Sequence, residues 1–205
     1  KLANIIYVFF HGKIKFFSYK HRKQEKWEKD NSEAPWLVPE SVFFLENWLN
    51  VNMKGFEFGS GRSTKWFADR VKFYVSIEGN YEWYKKTIYD NKDNIQKGKC
   101  KIIYKEVGDQ LNIDLEKQKQ YSSSLNDFED GHFDFGLIDG HFRIECIKKS
   151  INKIHFNGIL IIDNSDAIEG IEVFIKKYKF KKYTNGISET CVLYLNNKEK
   201  IYEKL

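Results

Sequence analysis

The sequence predicts an α/β fold built on a mostly parallel, doubly wound sheet, and three observations carry that expectation. From residue 34 onward, short apolar segments alternate with helical ones, a pattern that implies right-handed crossovers between parallel strands. The runs FGLID and GILIID are apolar almost throughout, as strands covered on both faces should be. The chain closes on FKKYTN and TCVLYLN, separated by too few residues for a crossover, so this last pair should run antiparallel.

Residues 1–33 form a distinct N-terminal extension, basic, aromatic and expected to be helical. In it Leu2, Ile5, Ile6, Phe9, Phe10, Ile14, Phe16 and Phe17 interleave with Lys and Arg. Such mixing suits a helix lying at a membrane interface or docked on a partner. The plainer alternative is a helix packed on the body of the same chain with its lysines in solvent. Residues 34–205 then make one domain. In APWLVPESVFFLENWLN, Pro39 fits the first turn of a helix and Val42, Leu45, Trp48 and Leu49 share one face. Strands are expected at 55–59, 73–78, 100–107, 134–139 and 158–163. Helices are expected near 62–70, 81–92, 142–154 and 166–178. The polar stretch 109–131 reads as a long loop with room for one short helix.

A length of 205 residues suits a single domain with a substantial core, and 41% hydrophobic with 17% aromatic residues excludes a disordered chain. No run reaches the roughly 18–20 apolar residues needed to span a bilayer. The net charge of +5 is uneven: residues 1–29 carry +6, which leaves −1 on the rest, so the body lacks a nucleic-acid signature and no nucleic-acid partner is expected. Cys100, Cys146 and Cys191 are far apart and read as reduced, buried thiols of a cytoplasmic protein. The apolar run Ile5–Phe10 is too short for a secretory signal. The basic extension leaves open a peripheral contact at the inner face of the membrane.

In an open parallel sheet, ligands bind beyond the carboxyl ends of the strands. Five such ends can be read: Glu57-Phe58-Gly59, Glu78-Gly79, Gly108-Asp109, Asp139-Gly140 and Asp163-Asn164. Each presents a carboxylate, and a core has no use for so many acids along one edge. At the first end, Gly59 and Gly61 let the backbone approach a ligand closely, and Ser63 or Thr64 can cap the helix that follows. Thr64 stands where a GxGxxG fingerprint would have its third glycine. Glu57 would repel a pyrophosphate and attract an ammonium group, which favours the amino-acid part of S-adenosylmethionine. Glu78 follows 21 residues after Glu57 and ends FYVSIE, near the offset at which an acid grips ribose hydroxyls.

FEFGSGRSTKWFADRV, VSIEGNYEWY, FDFGLIDGHFR and GILIIDNSD together resemble class I S-adenosylmethionine-dependent methyltransferases, in particular small bacterial-type domains with an ExGSGxST start and an IDGxxR segment. The resemblance spans about residues 34–196. It implies a Rossmann-like, seven-stranded sheet whose last strand is antiparallel. It also implies that Glu57, Gly59, Ser60 and Gly61 surround the methionine part of the cofactor, with Ser63 and Thr64 in the same loop and Arg62 toward solvent or substrate. Glu78 would take the ribose, Asn80 and Trp83 would border the adenine, and Gly108 and Asp109 would meet its edge.

Methyl transfer needs a nucleophile held near attack and relieved of its proton. Asp139 and His141 follow the fourth strand, where the methyl group should point; His141 is a candidate base, and Arg143 either clamps an acidic substrate group or pairs with a neighbouring carboxylate. Asp139, Asp163 and Asn164 also match the ligand pattern of metal-dependent O-methyltransferases, where they would hold Mg²⁺; a metal-free site is the alternative. The expected activity is O-methylation of a small molecule or glycan precursor. The competing readings are a NAD-dependent oxidoreductase and a catalytically silent binding subunit of the same fold. Trp36 and Trp48 are candidates for lining the acceptor pocket.

Overall fold

The computed structural model describes residues 19–108 and 114–198, with the backbone alone at 197–198. The aromatic segment 1–18 and the candidate residue Asp109 lie outside the described residues. Residues 19–30 are helical (α1); Trp27 of this helix packs on the core, and Gln24 Oε1 accepts a hydrogen bond from Asn185 Nδ2 at 2.8 Å.

Pro39–Trp48 (α2) leads into Lys54–Phe58 (β1), Arg62–Arg70 (α3), Phe73–Glu78 (β2), Tyr81–Asp90 (α4), Lys92–Gln96 (α5) and Cys100–Tyr104 (β3). Leu115–Ser122 (α6), Phe133–Ile138 (β4), Arg143–Ser150 (α7) and Ile154–Asp163 (β5) follow. The described residues close on Glu172–Ile175 (α8), Tyr178–Thr184 (β6) and Glu189–Lys198 (β7). The seven strands form one sheet in the order β3-β2-β1-β4-β5-β7-β6. β1 to β5 pair in parallel, while β7 runs antiparallel to both β5 and β6. The expected Rossmann-like sheet with its antiparallel close is what the chain forms. Among the described residues no helix is long and apolar enough to cross a membrane.

Side chains alternate across each strand, and so two cores form. Phe56, Phe58, Val75, Ile77, Ile138, Leu160 and Ile162 face a cluster completed by Tyr121, Cys146 and Ile147. Tyr74, Phe135, Leu137, Ile159 and Ile161 face the opposite one, with Val42, Leu45, Trp66 and Phe67. All three cysteines are buried and free. Between β1 and β4 the partners Gly55↔Phe135 and Phe56↔Gly136 each set a ring over a glycine. A Cβ on Gly55 would lie 2.2 Å from the Phe135 ring, and one on Gly136 would lie 2.3 Å from the Phe56 ring. That reciprocal fit holds the two central strands in register by packing.

Two helices differ from expectation. The 81–92 segment breaks at Asn91, whose buried Nδ2 donates to Thr87 O at 2.9 Å, and restarts as α5. The 166–178 segment is a short 3-10 turn, Ser165–Ala167, followed only by α8. Gly170 sits between them with φ +79°, a left-handed backbone that ends helical continuity.

From β1 the chain winds outward through β2 to β3, then returns to place β4 on the other side of β1. That reversal makes the carboxyl ends of β1 and β4 the switch point, where a crevice opens.

Candidate active site

At the switch point the two loops nearly touch. Gly59 has φ +93°, and a Cβ there would lie 2.6 Å from Gly140 N and 2.8 Å from the Asp139 carbonyl carbon. Gly140 is equally confined, since its Cβ would meet Tyr121 Oη at 2.3 Å and Gly59 N at 2.7 Å. Asp139 N donates to Phe58 O at 2.9 Å, carrying the strand pairing right up to the crossing. Gly61 is the opposite case: nothing stands within 4 Å of its would-be Cβ.

Next to this crossing lies a cavity of about 480 Å³ lined by Ser60, Gly61, Ser63 and Asp139. Trp36 and Arg62 form one wall, the guanidinium 4.5 Å from the indole centroid, and Arg62 Nη1 donates to Ser32 O at 2.6 Å. Trp83 and Lys86 also line it. Trp36 thus lines the cavity, whereas Trp48 packs edge-on against Phe135 with centroids 6.1 Å apart.

Glu57 does not face the cavity, contrary to the expectation that it would meet an ammonium group. Strand alternation puts it opposite Phe56 and Phe58, beneath the first turn of α3, and it is fully buried. Ser63 Oγ donates to it at 2.7 Å, Ser76 Oγ at 2.6 Å, Thr64 Oγ1 at close range, and Tyr74 Oη lies at 3.4 Å. Thr64 Oγ1 also accepts from Gly61 N at 3.1 Å. The hydroxyls of Ser63 and Thr64 are therefore turned down to Glu57, and the acid binds the glycine loop to β1 and β2 from below. Desolvation outweighs these donors and pushes the Glu57 carboxyl up to about 7.

A raised folded value means that the folded chain holds this proton more tightly than the unfolded one. The resulting stabilisation is complete below the unfolded value of 4.5 and is lost as pH rises through about 7. It amounts to about 3 kcal/mol. Glu57→Gln cannot titrate, so between about pH 5 and about pH 8 it should lose up to about 3 kcal/mol less stability than the parent. Urea unfolding at both pH values checks this, and parallel losses in the two proteins would show that Glu57 stays ionised.

Glu78 is nearly buried at the end of β2 and binds two turns at once. Oε2 accepts from Ser60 N at 2.8 Å and Ser60 Oγ at 2.6 Å; Oε1 accepts from Gly79 N at 2.8 Å and Asn80 N at 2.7 Å. Asn80 Oδ1 caps α4, accepting from Glu82 N and Trp83 N. Gly108 has φ +74° and lies against the Lys117 stem, and a Cβ on Gly79 would run into Val107.

Asp139 is part-buried on the cavity wall, and its carboxyl is pushed up to about 7, first by desolvation and then by repulsion from Asp163, with Arg143 opposing. His141 packs edge-on against Tyr121 with centroids 6.2 Å apart. Arg143 is paired with Asp139 at 3.0 Å, the second of its two expected roles. Sequence reading gave no role to Tyr121, because α6 lies in a stretch without periodic signal; only the fold brings it under Gly140.

No family model matches the sequence, and no curated protein matches it. Solved structures do match. A provisionally named caffeoyl-CoA O-methyltransferase from Staphylococcus aureus superposes at a TM-score of 0.56, with 15% identity over 90% of this chain and 99% of that one. A methyltransferase-like protein from Silicibacter pomeroyi gives 0.58 at 18% identity, covering 76% of this chain and 86% of its own. A provisionally named methyltransferase from Streptococcus mutans, solved with SAH, gives 0.53 at 13% identity, covering 75% and 94%. This is the class I methyltransferase fold. The chain follows that fold from helices through sheet, and its two glycine turns cross at the β1–β4 switch.

Proposed function

We propose that the protein is an S-adenosylmethionine-dependent methyltransferase that methylates a hydroxyl of a small molecule or glycan precursor. The observation that carries this is the crossing of Gly59 and Gly140 next to a cavity shared by the glycine loop and Asp139. Open space over Gly61 supports room for the donor beside the loop, and Glu78, bonded to Ser60 at the end of β2, is the carboxylate next to that loop. The donor would supply an electrophilic methyl on a positively charged sulfur. Ser60 and Gly61 would cradle its methionine part, Glu78 would accept from its ribose hydroxyls, and Trp83 would border it on the α4 side. Asp139, with a carboxyl near neutrality, would accept the proton of the acceptor hydroxyl.

Thr64 separates this loop from a dinucleotide site. A third glycine there would let helix and strand pack closely, but Thr64 is buried and bonded to Glu57. Calorimetry with S-adenosylmethionine and with NAD decides between the two, and tighter NAD binding would overturn the proposal. Glu78→Ala should weaken the methyl donor at least about tenfold, or ~1.4 kcal/mol. Methyl-group transfer from labelled donor to a panel of hydroxylated acceptors then tests turnover.

A further inference from the structure

Asp139, Asp163 and Asn164 are the oxygen donors with which this sequence pattern would grip a divalent ion, and Arg143 stands among them. Its Nε donates to Gly140 O at 3.1 Å and one Nη to Asp163 O. The other Nη donates to Asp139 O at 3.1 Å and Asp139 Oδ1 at 3.0 Å, and Asn164 Oδ1 lies 3.5 Å from both Nη atoms. Asp163 Oδ1 is engaged separately, accepting from Thr190 Oγ1 at 2.8 Å. Mg²⁺ requires oxygens at roughly 2.0–2.1 Å in octahedral array and keeps several waters. A guanidinium among the same oxygens fills that volume and repels a second cation. Among the described residues no group of three or more His, Cys, Asp or Glu side chains is placed to hold a metal. These residues do not fit a divalent ion.

We propose that Arg143 is the built-in cation of this site and that the protein works without a divalent metal. Metal-free catalysis rests on the methyltransferase reading; the occupancy of the site by Arg143 does not. Arg143 is a positioning residue. It offsets the charges of Asp139 and Asp163 and ties the end of β4 to the end of β5. Among the described residues two non-glycine positions have left-handed backbone, Phe142 at φ 50° and Asn164 at φ 45°, and each follows a carbonyl-bearing turn that the guanidinium grips. Backbone of that kind persists only where its surroundings hold it, and here one side chain holds both turns.

The test uses Mn²⁺ alone, read by electron paramagnetic resonance on the full chain without donor or acceptor. The parent protein should bind none up to about 1 mM. Arg143→Ala should gain one Mn²⁺ at least about tenfold tighter than any binding by the parent, and the further change Asp139→Asn should abolish it. Arg143→Lys, which restores the charge, should again be metal-free; a merely structural arginine would not produce that rescue. If Arg143→Ala does not fold, Arg143→Gln removes the charge while keeping a donor for Asp163 O. A Mn²⁺ site in the parent that Asp139→Asn removes would overturn the proposal, as would absence of a site from every charge-removing variant. Donor affinity, measured separately by calorimetry, decides the methyltransferase reading, so the two can fail independently.

Discussion

A Gly59→Ala variant should lose S-adenosylmethionine binding at least about a hundredfold, ~2.7 kcal/mol, and should also unfold earlier than the parent. Both losses have one cause. The new methyl would stand 2.6 Å from Gly140 N, a backbone atom that cannot swing aside, and the residue would have to keep φ at +93°. A side chain forced into such a backbone costs of order 1–3 kcal/mol before any clash is counted. The only relief is to push the β1 and β4 loops apart, which distorts the cavity next to them. Gly61→Ala separates the two effects. Its backbone is extended, φ 174°, and its would-be Cβ meets nothing within 4 Å, so the fold should be unchanged while the methyl intrudes where the donor lies. Calorimetry and thermal unfolding on both variants check this. Equal melting temperatures for Gly59→Ala and Gly61→Ala would show that the loops do not cross as described, and undiminished donor binding by Gly61→Ala would place the donor elsewhere.

The sheet was legible in the sequence because parallel strands buried on both faces must be apolar along their whole length, as GILIID is. The closing hairpin was legible because a short link forbids a crossover, and Asn185 makes that link, its Oδ1 accepting from Ile187 N and Ser188 N. Gly170 was visible too. The expected helix 166–178 runs straight through it, and the chain breaks there.

The strand-end acids were found, but their directions were not. Parity alone would have placed Glu57 correctly: Phe56 and Phe58 claim one face of β1, so residue 57 faces the other, under α3. Ser63, Thr64 and Ser76 are the hydroxyls that make such a buried acid tolerable, and each looked like an ordinary turn or strand residue in isolation. Arg143 was less accessible still. Its role depends on three carbonyls and one carboxylate brought together from the ends of β4 and β5. No one-dimensional pattern records that convergence, whereas a spacing of Asp, Asp and Asn invites a metal.

Asp139→Asn should lower kcat by about 10²–10⁴ with the acceptor identified by transfer assays, and should remove the pH dependence of the step. In the parent, desolvation and the nearby Asp163 hold the carboxyl near 7. A base acts only when unprotonated, so kcat should climb as pH rises through neutrality and level off above it. Asparagine preserves shape, and its Oδ1 can still accept from Arg143 Nη2, so donor binding and melting temperature should change little. His141 is the competing base, and its ring lies against Tyr121 rather than on the cavity wall with Asp139. His141→Gln should therefore retain the rising pH profile of the parent. A flat profile in His141→Gln together with a rising one in Asp139→Asn would transfer the proton-accepting role to the histidine.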